Sequence, residues 1–183
     1  MKINMIVACC SNNGIGFQNE IPWFIKNDLK YFANKTKGDG KNAIIMGRKT
    51  WESIPKKPLP SRKNIVLSHN VEFHKNINNH YKDIVECFDT SQKSLNFCQQ
   101  NNYEQIWIIG GTEIYKHFYE NYIDIIDIIL ITKIDKEYEC DAFFPDISDN
   151  FDMIGCKLTV ENDLASKQNV QVEYQIFQNK KFM

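Results

Sequence analysis

The chain has 183 residues, 43% hydrophobic and 25% charged, with a formal net charge of −1. That length and balance suit one globular domain with a sizeable core, residues 1–183. Near-neutral charge with both signs interspersed argues against nucleic acid or an anionic membrane as partner. The six cysteines (Cys9, Cys10, Cys87, Cys98, Cys140 and Cys156) include no Cys-x-x-Cys and no zinc-ligand spacing. With no secretory signal they read as free thiols of a cytoplasmic protein that binds no metal.

In chain order, the apolar run INMIVACC (3–10) predicts a buried first strand, and SNNGIG a loop after it. A helix is predicted around 26–35. NAIIMG (42–47) reads as a second buried strand, running into a short helix at RKTWESI. After the proline-bearing loop KKPLPSR come strands at 63–68 and 83–87, with a helix over Ser91–Gln100. QIWIIGG (105–111) predicts a strand ending in two glycines, then a helix over 112–119 and a strand over 127–134. The most apolar run, YIDIIDIILITKI, is interrupted by Asp124 and Asp127 and is too short to span a bilayer. In the tail, Val170, Val172, Tyr174 and Ile176 alternate as in a half-exposed antiparallel strand. Strand–helix alternation of this kind predicts an α/β fold: a mostly parallel twisted sheet, helices on both faces, and a C-terminal antiparallel edge hairpin.

Asp28 stands out. In a helix, Ile25, Leu29 and Phe32 fall at i, i+4 and i+7, the spacing of one buried face, with Lys26 and Lys30 on the wet side. Asp28 lies on the apolar face, where a carboxylate is costly unless a charge or hydrogen bond meets it. Two readings remain open from these residues alone: a helix N-cap, without the glutamate or glutamine of a capping box, or a functional acid.

Ligands of open α/β sheets bind outside the carboxyl ends of the strands. There the sequence places Gly14-Ile15-Gly16, Gly47-Arg48-Lys49-Thr50, Leu67-Ser68-His69 and Gly110-Gly111-Thr112. Two of these open helices, whose free N–H groups attract phosphate. Together they suggest a dinucleotide, without saying which. Gly38-Asp39-Gly40-Lys41-Asn42-Ala43 also fits a G-x-G-x-x-G/A pattern, but it precedes a strand and so fails as a nucleotide fingerprint. Tyr31 and Lys35 have the spacing of a short-chain dehydrogenase pair, but they lie too early in the chain.

The segments MIVACCSNNGIGFQNEIPW, NDLKYF, IIMGRKTWESIP, LPSRKNIVLS, IWIIGGTEIY and DAFFPDI resemble the successive blocks of the dihydrofolate reductase family, in that family's order and spacing. The resemblance runs from Met5 to about Phe177. It implies reduction of dihydrofolate with NADPH, by hydride transfer to C6 and protonation of N5. Asp28 would be the one acid of the pterin pocket, accepting from the 2-amino group and N3 as a bidentate pair, with Thr132 hydrogen-bonded to it. Trp23, Asn19 and Glu20 would belong to the loop closing over the nicotinamide. Ile6, Val7, Leu29, Phe32, Ile54, Leu59 and Ile109 would line the pterin and benzoyl pocket, and Arg62 would clamp the glutamate carboxylate. Ala8, Gly14–Gly16, Gly47, Arg48, Lys49, Thr50, Leu67, Ser68, His69, Gly110, Gly111, Thr112, Glu113, Ile114 and Tyr115 would hold the cofactor. Tyr115 would also stand beside the reacting atoms. The Gly110–Gly111 bond would be cis.

Two positions depart from the family pattern. His69 stands where many members carry another basic or small polar residue beside the 2′-phosphate, and histidine is charged only toward acid pH. Ala142 follows Asp141 where threonine is common. The resemblance further implies a monomer with dihydrofolate as its small-molecule partner and metabolic coupling to thymidylate synthase. Two other readings are a pyrimidine reductase of the same fold and a silent folate- or nucleotide-binding protein. The first should lack Trp23, Asp28 and Arg62, the second Asp28 or the glycine pair; all are present.

Overall fold

The computed structural model describes residues 1–81 and 83–183. The chain runs β1 (Lys2–Cys10), β2 (Gly14–Gly16), α1 (Lys26–Lys37), β3 (Asn42–Gly47), α2 (Arg48–Ser53), β4 (Lys63–Leu67), α3 (Val71–His80), β5 (Val85–Phe88), α4 (Ser91–Gln100), β6 (Gln105–Ile108), α5 (Thr112–Tyr122), β7 (Ile126–Ile134), β8 (Ala142–Phe143), β9 (Phe151–Asp163) and β10 (Gln168–Asn179).

The main sheet has the order β5-β4-β3-β6-β1-β7-β10-β9. Strands β5 through β7 of that order pair in parallel. Only β10 and β9 run antiparallel, as the tail's alternation predicts. The near-continuous apolar runs follow from burial on both faces. Ile3, Met5, Val7, Ile45, Ile106 and Ile108 pack with Leu95 of α4 and Phe118 of α5. Ile6, Ile44, Met46, Val66 and Trp107 pack the other way, with Trp51 of α2, Ile77 of α3 and Phe32 of α1. Each such side chain contributes about 1.5–3 kcal/mol on burial.

Three features differ from the sequence expectations, and one reading left open there is decided. Helix α3 occupies a stretch whose pattern predicts nothing: it has three apolar residues in ten and buries only Ile77, and its start is set by the Asn70 side chain accepting from the Phe73 N–H at 2.9 Å. The loop after β1 contains β2, which pairs with β8 in a separate small sheet, Gly14 opposite Phe143 and Gly16 opposite Ala142. Leu29 is 48% exposed rather than buried, because of that predicted face only Ile25 and Phe32 pack into the core. Asp28 is not an N-cap: Ile25 takes that position, and Asp28 lies in the first turn. All six cysteines are unbridged.

Candidate active site

The site begins with a row of residues at the carboxyl end of the sheet. Ala8 of β1 pairs with Thr132 of β7, and Thr132 pairs with Tyr174 of β10. Helix α1 crosses this corner and brings Asp28 to Thr132. Burial pushes the Asp28 carboxyl up to about 6; a hydrogen bond with the Thr132 side chain opposes that rise, and the nearby Glu161 charge adds to it. Behind the acid, the rings of Tyr31 and Tyr174 meet at 4.6 Å between centroids. Burial, then the Asp28 charge, raises both phenols. The result is one half-buried carboxylate that is still largely ionised at pH 7; Ile6 with the partly buried Phe32, Ile54 and Ile109 forms one apolar lining on the α1 side of the sheet, while Leu29 is exposed.

Val7 does not join that lining. It is buried with the α4–α5 layer, on the other face of β1 from Ile6. Strand alternation explains the split, since neighbouring residues point to opposite faces.

Arg62 is 8% exposed, unusually buried for arginine. Its Nε donates to the Pro60 carbonyl at 3.0 Å, and one terminal nitrogen donates to the Thr36 hydroxyl. The guanidinium stands 5.9 Å from the centroid of the Phe32 ring. The loop that carries it is braced by Asn64, whose side chain accepts from the Leu59 N–H at 2.9 Å and donates to the Leu59 carbonyl at 2.8 Å. Neither Thr36 nor Asn64 carries a sequence signal for this role. A threonine late in a helix normally bonds back to its own helix, and Thr36 does that too, to the Phe32 carbonyl at 2.7 Å.

The nucleotide edge is built from strand ends. Gly47 N–H donates to the Gly110 carbonyl at 2.8 Å, joining the ends of β3 and β6. The Gly110–Gly111 bond is cis, and Gly110 has φ +102°. A side chain at Gly110 would strike the Tyr115 ring. Tyr115 is buried, with its hydroxyl donating to the Ile6 carbonyl at 2.7 Å and its phenol pushed well above the ordinary value by burial. It therefore braces the glycine turn against β1. At the α5 N-terminus the Thr112 hydroxyl is buried with no partner among the described residues. An orphaned donor beside open helix N–H groups fits a phosphate-bearing cofactor. Arg48 is less free than the sequence suggests, since it pairs with Glu52 one turn on at 2.7 Å. Lys49 and His69 are exposed and Thr50 half-buried; a side chain at Gly111 would come within 3.3 Å of the Thr50 hydroxyl. Ser68 caps the turn before α3, its hydroxyl accepting from the Asn70 N–H at 3.1 Å. Leu67, Ile114 and Ile15 pack partly buried against the core beneath this edge, and Glu113 is exposed in the first turn of α5.

The structure divides the predicted lid in two. Trp23 is buried, its ring 5.2 Å from that of Tyr138, and the next residues are tied down: Phe24 N–H donates to Asp163 at 2.8 Å. Residues 18–20 are exposed, with Gln18 and Asn19 at positive φ in a turn closed by Phe17 and Glu20 backbone bonds. Thus Trp23 is packed in place against Tyr138, while the Gln18–Ile21 tip is exposed.

A mostly parallel sheet whose strand ends carry a glycine-rich edge, with a half-buried carboxylate on the first helix beside it, defines an α/β protein with a candidate nucleotide-binding edge. Comparison with known proteins narrows that class. The family model described as dihydrofolate reductase matches residues 2–179. Among relatives named dihydrofolate reductase, that of Aedes albopictus is 36% identical over 97% of both chains. That of Staphylococcus haemolyticus is 39% identical over 92% of this chain and 90% of its own. That of Buchnera aphidicola is 43% identical over 80% of both. The chain belongs to the dihydrofolate reductase family.

Proposed function

We propose that the protein reduces 7,8-dihydrofolate to tetrahydrofolate with NADPH, supporting one-carbon metabolism and thymidylate synthesis. The observation that supports this reading is a half-buried carboxylate, Asp28, in the first turn of α1 against Thr132. A pterin offers its 2-amino group and N3 as adjacent donors, and an ionised carboxylate accepts both. That contact draws positive charge onto the ring and favours a proton from solvent at N5. The bound cofactor supplies a hydride to C6. Phe32, Leu29 and Ile54 hold the ring and its benzoyl extension, and Arg62 meets the glutamate carboxylate. Trp23 and the Asn19–Glu20 tip keep water from the reacting face. Gly110, Gly111, Thr112, Arg48, Thr50, Ser68 and His69 would hold the dinucleotide along the strand ends.

The test is direct. Mixing protein, NADPH and dihydrofolate should lower absorbance at 340 nm, and NADH in parallel should act more slowly. No loss of absorbance with either cofactor would overturn the reading.

A further inference from the structure

A cavity of about 630 Å³ lies between helix α1 and the β9–β10 hairpin. A smaller one of about 220 Å³ adjoins it, sharing Asn27, Lys30 and Glu161. Neither is lined by any residue assigned above to pterin or cofactor.

The lining has a definite chemistry. The Tyr31 and Tyr174 rings, in contact at 4.6 Å, and Ile176 supply the apolar surface. Lys30, Lys35 and Lys157 supply cations, and Lys26 extends them into the smaller cavity. Among the described residues none of these four lysines is in an ion pair, although Lys35 stands 5.5 Å over the Tyr31 ring. The one acid, Glu161, is engaged by Asn27 at 2.7 Å and Thr159 at 3.1 Å. The chain as a whole carries a net charge of −1, so this local positive excess does not reflect a basic protein. Aromatic surface, a cationic rim and room for one or two rings match a planar organic anion.

We propose that the groove between the outer side of α1 and the β9–β10 hairpin is a second binding site, which takes a small aromatic carboxylate or sulfonate. Its occupant lies behind Asp28. The groups that meet that acid from the groove side are Glu161 of β9, Tyr31 of α1 and Tyr174 of β10, which pairs in register with Thr132, while Lys30 and Lys157 line the groove itself. An added anion there disfavours the ionised carboxylate, so occupancy should move the acid limb of activity to higher pH. That second effect rests on the reductase reading above.

The experiment is calorimetric titration of naphthalene-1-sulfonate, first into the free protein and then into protein saturated with NADPH and a diaminopyrimidine inhibitor. Saturable one-to-one binding is expected in both. The neutral analogue 1-naphthalenemethanol should bind roughly tenfold more weakly or worse. The double variant Lys30→Ala/Lys157→Ala should lose roughly tenfold in affinity while its circular dichroism and dihydrofolate KM stay unchanged. Absence of saturable binding, displacement by the inhibitor, or indifference to the lysines would each overturn the proposal. Failure of NADPH or the inhibitor to bind would instead count against the reductase reading, and the lysine dependence in the free protein would still decide this one.

Discussion

The Arg62 guanidinium donates to the Thr36 hydroxyl, joining the loop before β4 to the last full turn of α1. The bond fixes the guanidinium between that loop and α1. With the Pro60 carbonyl taking Nε, a terminal nitrogen remains for a ligand carboxylate. Arg62→Leu should weaken dihydrofolate binding by about 1.5–3 kcal/mol, the range for charged hydrogen bonds. A pterin without the glutamate tail should bind both proteins alike. Thr36→Val should raise KM for dihydrofolate with little change in kcat, because it loosens the clamp without touching the reacting ring. Steady-state kinetics with both ligands checks this, and equal losses for the two would remove Arg62 from the site.

Asp28→Asn separates function from stability. The amide cannot present two acceptors, so turnover at pH 7 should fall at least roughly tenfold, about 1.4 kcal/mol. NADPH affinity should stay within about twofold, since the cofactor lies on other strands. Stability should move the other way. The Asp28 carboxyl is raised from 3.8 to about 6, so the folded chain holds a proton that the unfolded chain has released between those values. Wild-type stability therefore falls as pH rises from about 4 to 6 and is level above. The variant escapes that penalty, so it should be more stable near neutral pH by on the order of 2 kcal/mol, with the gap closing at acid pH. Urea unfolding of both proteins across the window measures it.

Asp163 carries the opposite sign. Burial would raise its carboxyl, but bonds from the Phe24 N–H, the Ser166 and Tyr138 hydroxyls and the Ala165 N–H outweigh that and hold it at about 2. A depressed carboxyl stabilises the fold above its unfolded value and loses that contribution as pH falls from about 4 to 2. Because Asp163 also anchors the segment leading into α1, Asp163→Ala should lower Tm and raise KM for dihydrofolate together. A Tm drop with unchanged KM would mean that the anchor does not set the position of α1.

Gly110→Ala should damage both fold and cofactor binding. The residue has φ +102°, and a Cβ there would lie 2.7 Å from the Tyr115 ring. A cost of about 1–3 kcal/mol is expected from the backbone conformation alone. Displacing Tyr115 would also break its bond to Ile6. Thermal unfolding and NADPH titration should both report the loss.

His69 is exposed next to the turn that opens α3. If it lies beside the 2′-phosphate, His69→Arg should tighten NADPH by about 1 kcal/mol and leave NADH unchanged, because only the former carries that group. Parallel gains for both cofactors would show a general charge effect and leave Arg48 and Lys49 to set selectivity.

The strands, most helices and the family were legible in the sequence because their signals are local. Apolar runs, glycine turns and the alternation from Val170 to Ile176 follow from which face each residue presents to a neighbouring element. Asp28 stood out by its place in a helical pattern and the glycine pair by its place after an apolar run, whereas the role expected of Arg62 came from the family resemblance. Tertiary structure decided what those residues touch. Thr36 meets Arg62, Tyr174 backs Asp28 across from Thr132, Asp163 anchors Phe24, and Val7 packs with the α4–α5 layer. The β2–β8 pair and the cavity behind α1 likewise join segments far apart in the chain. Such contacts depend on how the helices cross the sheet and how the hairpin closes its edge. They arise when apolar faces from distant parts of the chain are buried together, and no window of sequence contains both partners.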